Sequence, residues 1–227
     1  MCDMTRDKGL NSAVWTLSWE GATPIARAKI DLGSPFAGAT AVPGRYTAVL
    51  TVDGTSFERP FVITQDPRVT VTDKELSEQV TFSLSIRDEV TRLGRLVDDI
   101  RHVRGQVAAR REALARVDPR NELIAASEAV ITKLDSLEGR LHNPTAEVTY
   151  DILAMKTGAH LYSRLIPLLD WSTSGDGAPT QGQRELAATL RSELDALARD
   201  YTALIDMDVK FLNTKGAAHA FVITPKP

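Results

Sequence analysis

The hydrophobic pattern of this chain changes period once, at Asp66-Pro67-Arg68. Ahead of that point apolar residues alternate, as on a half-buried strand; behind it they recur every three to four residues, as on one face of a helix. The switch excludes an all-β and an all-α fold. It predicts an α+β chain: a β-rich module over residues 1–67, a helical bundle over 68–216 and a tail over 217–227. About four strands fit in the first ~65 residues, whereas an immunoglobulin- or fibronectin-like sandwich takes about seven in ~100. Half a sandwich leaves an unpaired edge and an open apolar face, so either the missing strands lie upstream of Met1 or this sheet packs on the helices instead.

The clearest strand signal is Tyr46, Ala48, Leu50 and Val52 alternating with Thr47, Val49 and Thr51. Asp53-Gly54 then supplies the positive φ angles of a two-residue hairpin turn. Phe57, Phe61 and Ile63 mark the returning strand, over 57–64. A further β-like stretch is expected over 12–19 and a weak strand over 28–32, inside a segment rich in Gly, Ala and Pro. Residues 221–224 read as a closing strand docked on the β part.

The helical part opens on Thr72-Asp73-Lys74-Glu75, a capping box. Leu76, Val80, Leu84, Val90, Leu93, Val97, Ile100, Val103, Val107 and Leu114 then trace one face of a helix about 40 residues and ~60 Å long. Asp118-Pro119 reads as N-cap and first residue of a second helix. Its inward stripe is Leu123, Ser127, Val130, Leu134, Leu137 and Leu141, and it stops at His142-Asn143-Pro144. A less regular segment over 150–171 is broken or kinked by Gly158 and Pro167. Thr180 and Gln183 form a second capping box, and Leu186, Leu190, Leu194, Leu197, Tyr201, Leu204 and Phe211 face inward on the last long helix. Lys215-Gly216 ends it. Three long amphipathic stretches with short connections, plus the kinked segment, predict an up-down bundle.

Composition limits function. Net charge is −3, with 27 Lys and Arg against 30 Asp and Glu, which argues against a phosphate-driven nucleic-acid binder. No run approaches the ~20 apolar residues of a membrane span. The single cysteine, Cys2, excludes an internal disulfide. The four histidines, His102, His142, His160 and His219, are too far apart in sequence for a zinc motif, and His142 is expected to cap a helix end. Asp170, Asp176 and the adjacent glycine-rich loop lack the spacing of a calcium loop. Glu89, Asp98, Asp99 and Asp195 fall on helix positions expected to face water, unlike a glycosidase pair across a cleft. No catalytic residue, metal ligand or cofactor is assigned. The candidates for a ligand or interface are Trp15, Trp19, Tyr150, Tyr162, Trp171 and Asp176. The two tryptophans could join Tyr46 and Phe57 in an aromatic platform, or pack a core.

Several motifs, in order, resemble a known architecture. Lys8-Gly9-Leu10-Asn11, Val14-Trp15-Thr16-Leu17 and Pro43-Gly44-Arg45-Tyr46-Thr47 look like the β-module near the C-terminus of large bacterial sortilin-like (VPS10-like) β-propeller proteins with BNR repeats, often labelled glycosyl hydrolases. Asp66-Pro67-Arg68 resembles that family's exit from the β-module. Tyr150-Asp151-Ile152-Leu153, Leu161-Tyr162-Ser163 and Asp176-Gly177-Ala178-Pro179-Thr180-Gln181-Gly182 look like its helical tail. The family commonly has Trp-Asp-Leu where this chain has Trp15-Thr16-Leu17. The sequence holds no repeated Ser-x-Asp-x-Gly-x-x-Trp blade motif, so a hydrolase label belongs to the absent propeller.

The resemblance implies a non-enzymatic C-terminal module that packs or positions a propeller or mediates assembly, with that propeller or another protein as partner. Two alternatives stand beside it: an accessory part of a secreted glycosyl hydrolase, and a free-standing cytoplasmic helical interaction protein. Compartment follows the same division, exported if the chain is a tail of the longer form and cytoplasmic if Met1 is the true start. The sequence sets no oligomeric state.

Overall fold

In the computed structural model, residue 5 and residues 7–153, 158–216 and 222–226 are described. The chain is α+β: a two-stranded antiparallel sheet followed by helices. Strands β1 (Gly44–Val52) and β2 (Thr55–Ile63) pair from Val52↔Thr55 at the turn to Gly44↔Ile63 at the base. Asp53 and Gly54 take φ of 50° and 80°, as the Asp-Gly turn requires. Helices α1 (Asp73–Val117), α2 (Glu122–Leu141), α3 (Thr149–Leu153), α4 (Leu161–Thr173) and α5 (Gln181–Leu204) follow. A π turn (Ile205–Val209) and α6 (Lys210–Lys215) continue α5.

Helix α1 is the support of the fold. Thr72 Oγ1 accepts from the Glu75 N–H at 3.3 Å and Glu75 Oε2 accepts from the Thr72 N–H at 2.9 Å, closing the capping box. Val90, Leu93, Val97, Ile100, Val103 and Val107 are fully buried against α2, α4 and α5. The first turns differ from expectation: Leu76, Val80 and Leu84 are half-buried, while Ser83 and Ile86 are buried. Ser83 lies against the end of α4, where its Oγ donates to the Ser172 carbonyl at 3.1 Å.

Two boundary expectations are corrected. Asp118 ends α1 instead of opening α2; Asn121 caps α2, its side chain accepting from the Leu123 N–H at 3.0 Å. On α5, Leu190, Leu194, Leu197, Tyr201 and Leu204 are buried as expected, but Leu186 and Phe211 are exposed. The π turn explains Phe211: one extra residue per turn rotates the apolar stripe, which resumes at Val209 and Leu212.

The segment ahead of β1 forms neither expected strand. Residues 17–22 run beside 35–41 through Trp19 N–H to Ala39 O, Ala22 N–H to Pro35 O and Ala41 N–H to Leu17 O, at 2.7–2.8 Å, with one bridge at Ser18↔Thr40. Between these rungs it straps the helices. The Thr23 N–H donates to Thr91 Oγ1, the Ile25 N–H to the Tyr162 hydroxyl, and Arg101 donates to the Ala26 carbonyl. Ala22 and Ile25 enter the helical core.

The expected closing strand is also absent: residues 222–226 form no strand, and Phe221 lies outside the described residues. Ile223 is buried; its N–H and carbonyl both bond to Asn213, while Thr224 bonds twice to Gln106 of α1. The tail therefore docks on the helices, away from the hairpin.

A Cβ at Gly38 would collide with the Trp19 carbonyl across the strap, whereas one at Gly182, in the first turn of α5, meets nothing. Gly38→Ala should cost about 1–3 kcal/mol. Gly182→Ala should be neutral or stabilising by up to about 1 kcal/mol. Urea unfolding followed by circular dichroism measures both.

Candidate functional site

The hairpin places its even-numbered β1 residues on one face, with the β2 residues opposite them: Tyr46 with Phe61, Ala48 with Arg59, Leu50 with Phe57. Apart from Arg59 and Thr55, this face is apolar. Its base is covered by Trp15, whose ring centroid lies 5.8 Å from Tyr46 and 6.2 Å from Phe61. Tyr46 and Phe61 stack at 5.8 Å, and the Tyr46 hydroxyl donates to the Val42 carbonyl at 2.7 Å. Trp15 is fixed by donation from its indole N–H to the Ser18 carbonyl at 2.9 Å. Beyond this trio the face is bare, with Leu50, Val52 and Phe57 each 44–56% exposed. Most of the exposed large apolar side chains of the described chain lie ahead of Ile63.

A cleft of about 310 Å³ lies between the hairpin base and the helices, lined by Leu17, Ala41, Ile63, Val80, Ser83 and Asp176 among others. Its two glutamines are engaged. Gln79 donates to the carbonyls of Ser172 and Gly175, and its own carbonyl faces the Gly177 N–H at 3.4 Å. Gln65 donates to the carbonyls of Val69 and Val71. Arg68 hydrogen bonds hold the Asp66 carboxyl below the usual aspartate range. This lining joins two elements through bonds already made and presents no nucleophile–base pair.

The sequence candidates scatter. Trp15 joins the aromatic trio. Trp19 is half-exposed, and its backbone anchors the strap. Asp176 is exposed at the cleft rim. Tyr162 is buried, its hydroxyl accepting from Ile25; burial pushes its pKa up, against the effect of that bond. Tyr150 on α3 and Trp171 on α4 face solvent. Among the described residues no ring contact joins Tyr150, Tyr162 and Trp171.

The acidic residues serve ion pairs. Arg92 lies 3.2 Å from Glu89 and 2.7 Å from Asp195, and Arg191 lies 2.8 Å from Glu89. Asp99 accepts from the Lys226 N–H. Among the described residues, no cluster of three or more His, Cys, Asp or Glu side chains could hold a metal, and no helix is long and apolar enough to cross a membrane.

The strongest electrostatic feature is one the sequence reading missed. Glu138, on the buried face of α2, accepts from Arg101 Nε at 2.7 Å, from Arg104 Nη1 at 2.6 Å and from His142 Nε2 at 2.9 Å. Arg101 Nη1 also reaches the Ala26 carbonyl at 2.9 Å, so the cluster ties α1, α2 and the strap. His142 does end α2, but its ring bonds a carboxylate instead of capping carbonyls. Burial alone would raise the Glu138 pKa; the bonds from His142 and Arg101 and the charges of Arg104 and Arg101 outweigh it and hold the pKa at about 2. A signal existed, since Glu138 follows Leu134 and Leu137 on the apolar face and Arg101 and Arg104 share one face of α1.

No family model, no curated protein and no solved structure matches the chain.

Because the folded-state pKa of Glu138 lies below its ordinary 4.5, its contribution to stability is full above pH 4.5 and is lost as pH falls toward 2. Glu138→Gln should cost about 3 kcal/mol at pH 7, with the gap from wild type narrowing through that window. Urea unfolding at a series of pH values reads both; a gap that stays constant from pH 7 to pH 3 would contradict the assignment.

Proposed function

We propose that this chain is a non-enzymatic accessory and interaction module, the C-terminal part of a larger sortilin-like β-propeller protein, where it packs or positions the propeller and mediates assembly. The observation that carries this reading is the hairpin: two strands of a sheet with an apolar face covered at its base by Trp15 and left open at Leu50, Val52 and Phe57. Two strands alone are marginal in water, and a bare apolar face loses roughly 25 cal/mol for each Å² it fails to bury. A second sheet packed on it, as in an immunoglobulin-like sandwich, would cover that face. The helices, strap and tail would form an up-down bundle that holds the hairpin at one end.

Immunoblotting of source cells with antibody against the helical part tests this. The expected band lies far above 24.8 kDa, the mass of this chain. A band at 24.8 kDa would sink the propeller assignment.

A further inference from the structure

The two edges of the hairpin are not equivalent. The two-residue turn makes Val52↔Thr55 a hydrogen-bonded pair, and pairs alternate from there. Leu50↔Phe57, Ala48↔Arg59 and Tyr46↔Phe61 therefore exchange hydrogen bonds, while the N–H and C=O groups of odd-numbered β1 residues and even-numbered β2 residues point outward. On β2 that outward row is blunted. Pro60 has no N–H to offer, and the outward carbonyl of Glu58 is taken by the Arg59 guanidinium at 3.0 Å. These are the devices by which a sheet edge is closed to further pairing. On β1 the outward row of Arg45, Thr47, Val49 and Thr51 has no backbone partner among the described residues. It carries no proline and no inward charge.

We propose that β1 pairs through this outer edge with β1 of a second copy of the chain, giving a four-stranded antiparallel sheet in the order β2–β1–β1–β2. The proposal rests on the interaction-module reading and names one of its partners; the edge is separate from the apolar face, which stays free for other contacts. The sequence of β1 is self-complementary in the register that uses the whole open row. With the two-fold axis at Ala48, Arg45 faces Thr51 of the other copy and Thr47 faces Val49. The smallest side chain of the strand sits on the axis, where non-hydrogen-bonded partners approach most closely. On the apolar face Tyr46 meets Leu50 of the other copy, so the two half-covered faces merge into one. On the polar face Arg45 lies diagonal to Asp53 of the other copy, within reach of a long side chain, and this happens twice by symmetry. Within one copy neither Arg45 nor Asp53 has an ion-pair partner among the described residues. No like charges are placed opposite each other.

The test is sedimentation equilibrium of the purified chain over a range of concentrations. The mass should rise from 24.8 kDa toward twice that value. Val49→Pro removes an outward N–H without touching the bonds to β2; it should weaken association about tenfold or more while far-UV circular dichroism is kept. Val62→Pro, on the outward row of β2, should leave association unchanged. Arg45→Glu should weaken it by up to about fivefold, an effect that added salt reduces. A single 24.8 kDa species at every concentration overturns the proposal and leaves a strand of another polypeptide as the occupant. Association that survives Val49→Pro, or that Val62→Pro abolishes equally, also overturns it. The cellular mass of the native protein is an independent measurement, so this idea and the propeller assignment can fail separately.

Discussion

The buried face of α1 is the constraint on which the rest of the structure depends. Ser83, Ile86, Val90, Leu93, Val97, Ile100, Val103, Val107, Arg110 and Leu114 form a stripe with a step of three or four residues along a 45-residue helix. Helices α2, α4 and α5 all pack on it. The strap crosses it where Gly94 leaves room for the Thr23 carbonyl, and the tail reaches it at Gln106 and Asp99. An isolated helix of this length would be only partly stable; packing along one face converts it into a rigid support. In its first turns Gln79 and Ser83 bond to Ser172 and to the loop after α4, and the hairpin precedes these turns along the chain.

Polar residues on that support have a second task, which is to set the mutual placement of its neighbours. Apolar surfaces slide at low cost, whereas hydrogen-bonded charges have one good geometry. The Glu138 carboxylate takes bonds from two arginines of α1 and from His142, and one of those arginines also holds the strap. Near the other end, Arg110 is buried and donates to the Leu212 carbonyl at 2.7 Å and toward the Asn213 side chain, which in turn clasps the tail at Ile223. Desolvation lowers the pKa of Arg110. Removing one partner from a buried charged group costs far more than never having had the pair. These clusters specify the arrangement more than they stabilise it.

What could be read from the sequence follows from how local each cause is. Both capping boxes, the Asp-Gly turn, the stripe of α2 and that of α1 from Val90 onward depend on residues within a few positions of each other, and they stand as expected. The missed features depend on contacts between segments. The π turn shifts the stripe after Leu204 to Val209 and Leu212, and no residue in 205–209 announces it. Gly216 reads as a helix-ending glycine, yet its φ is −95°; its missing Cβ makes room for the Arg110 guanidinium instead. Residues 12–19 and 28–32 look like strands, but the first keeps only a short pairing of residues 17–19 with 39–41, and between the two Thr91, Tyr162 and Arg101 take backbone groups of Thr23, Ile25 and Ala26. Trp15 was singled out from the sequence and packs on the aromatic rings at the hairpin base. Tyr162 looked equivalent and is a core residue.

The contrast between the two parts of the chain bears on function. The helical part ends its surfaces properly: its charged residues pair across helices, as Arg164 does with Glu193 and Lys133 with Asp208. The hairpin is finished on one edge only. Pro60 and the Arg59–Glu58 contact close the outside of β2, while β1 keeps an unbroken row of donors and acceptors and Leu50 and Phe57 stay in solvent. A chain under no demand to bind there would be expected to blunt both edges, because an open edge invites unspecific pairing. Blunting one edge and leaving the other open gives direction to the pairing.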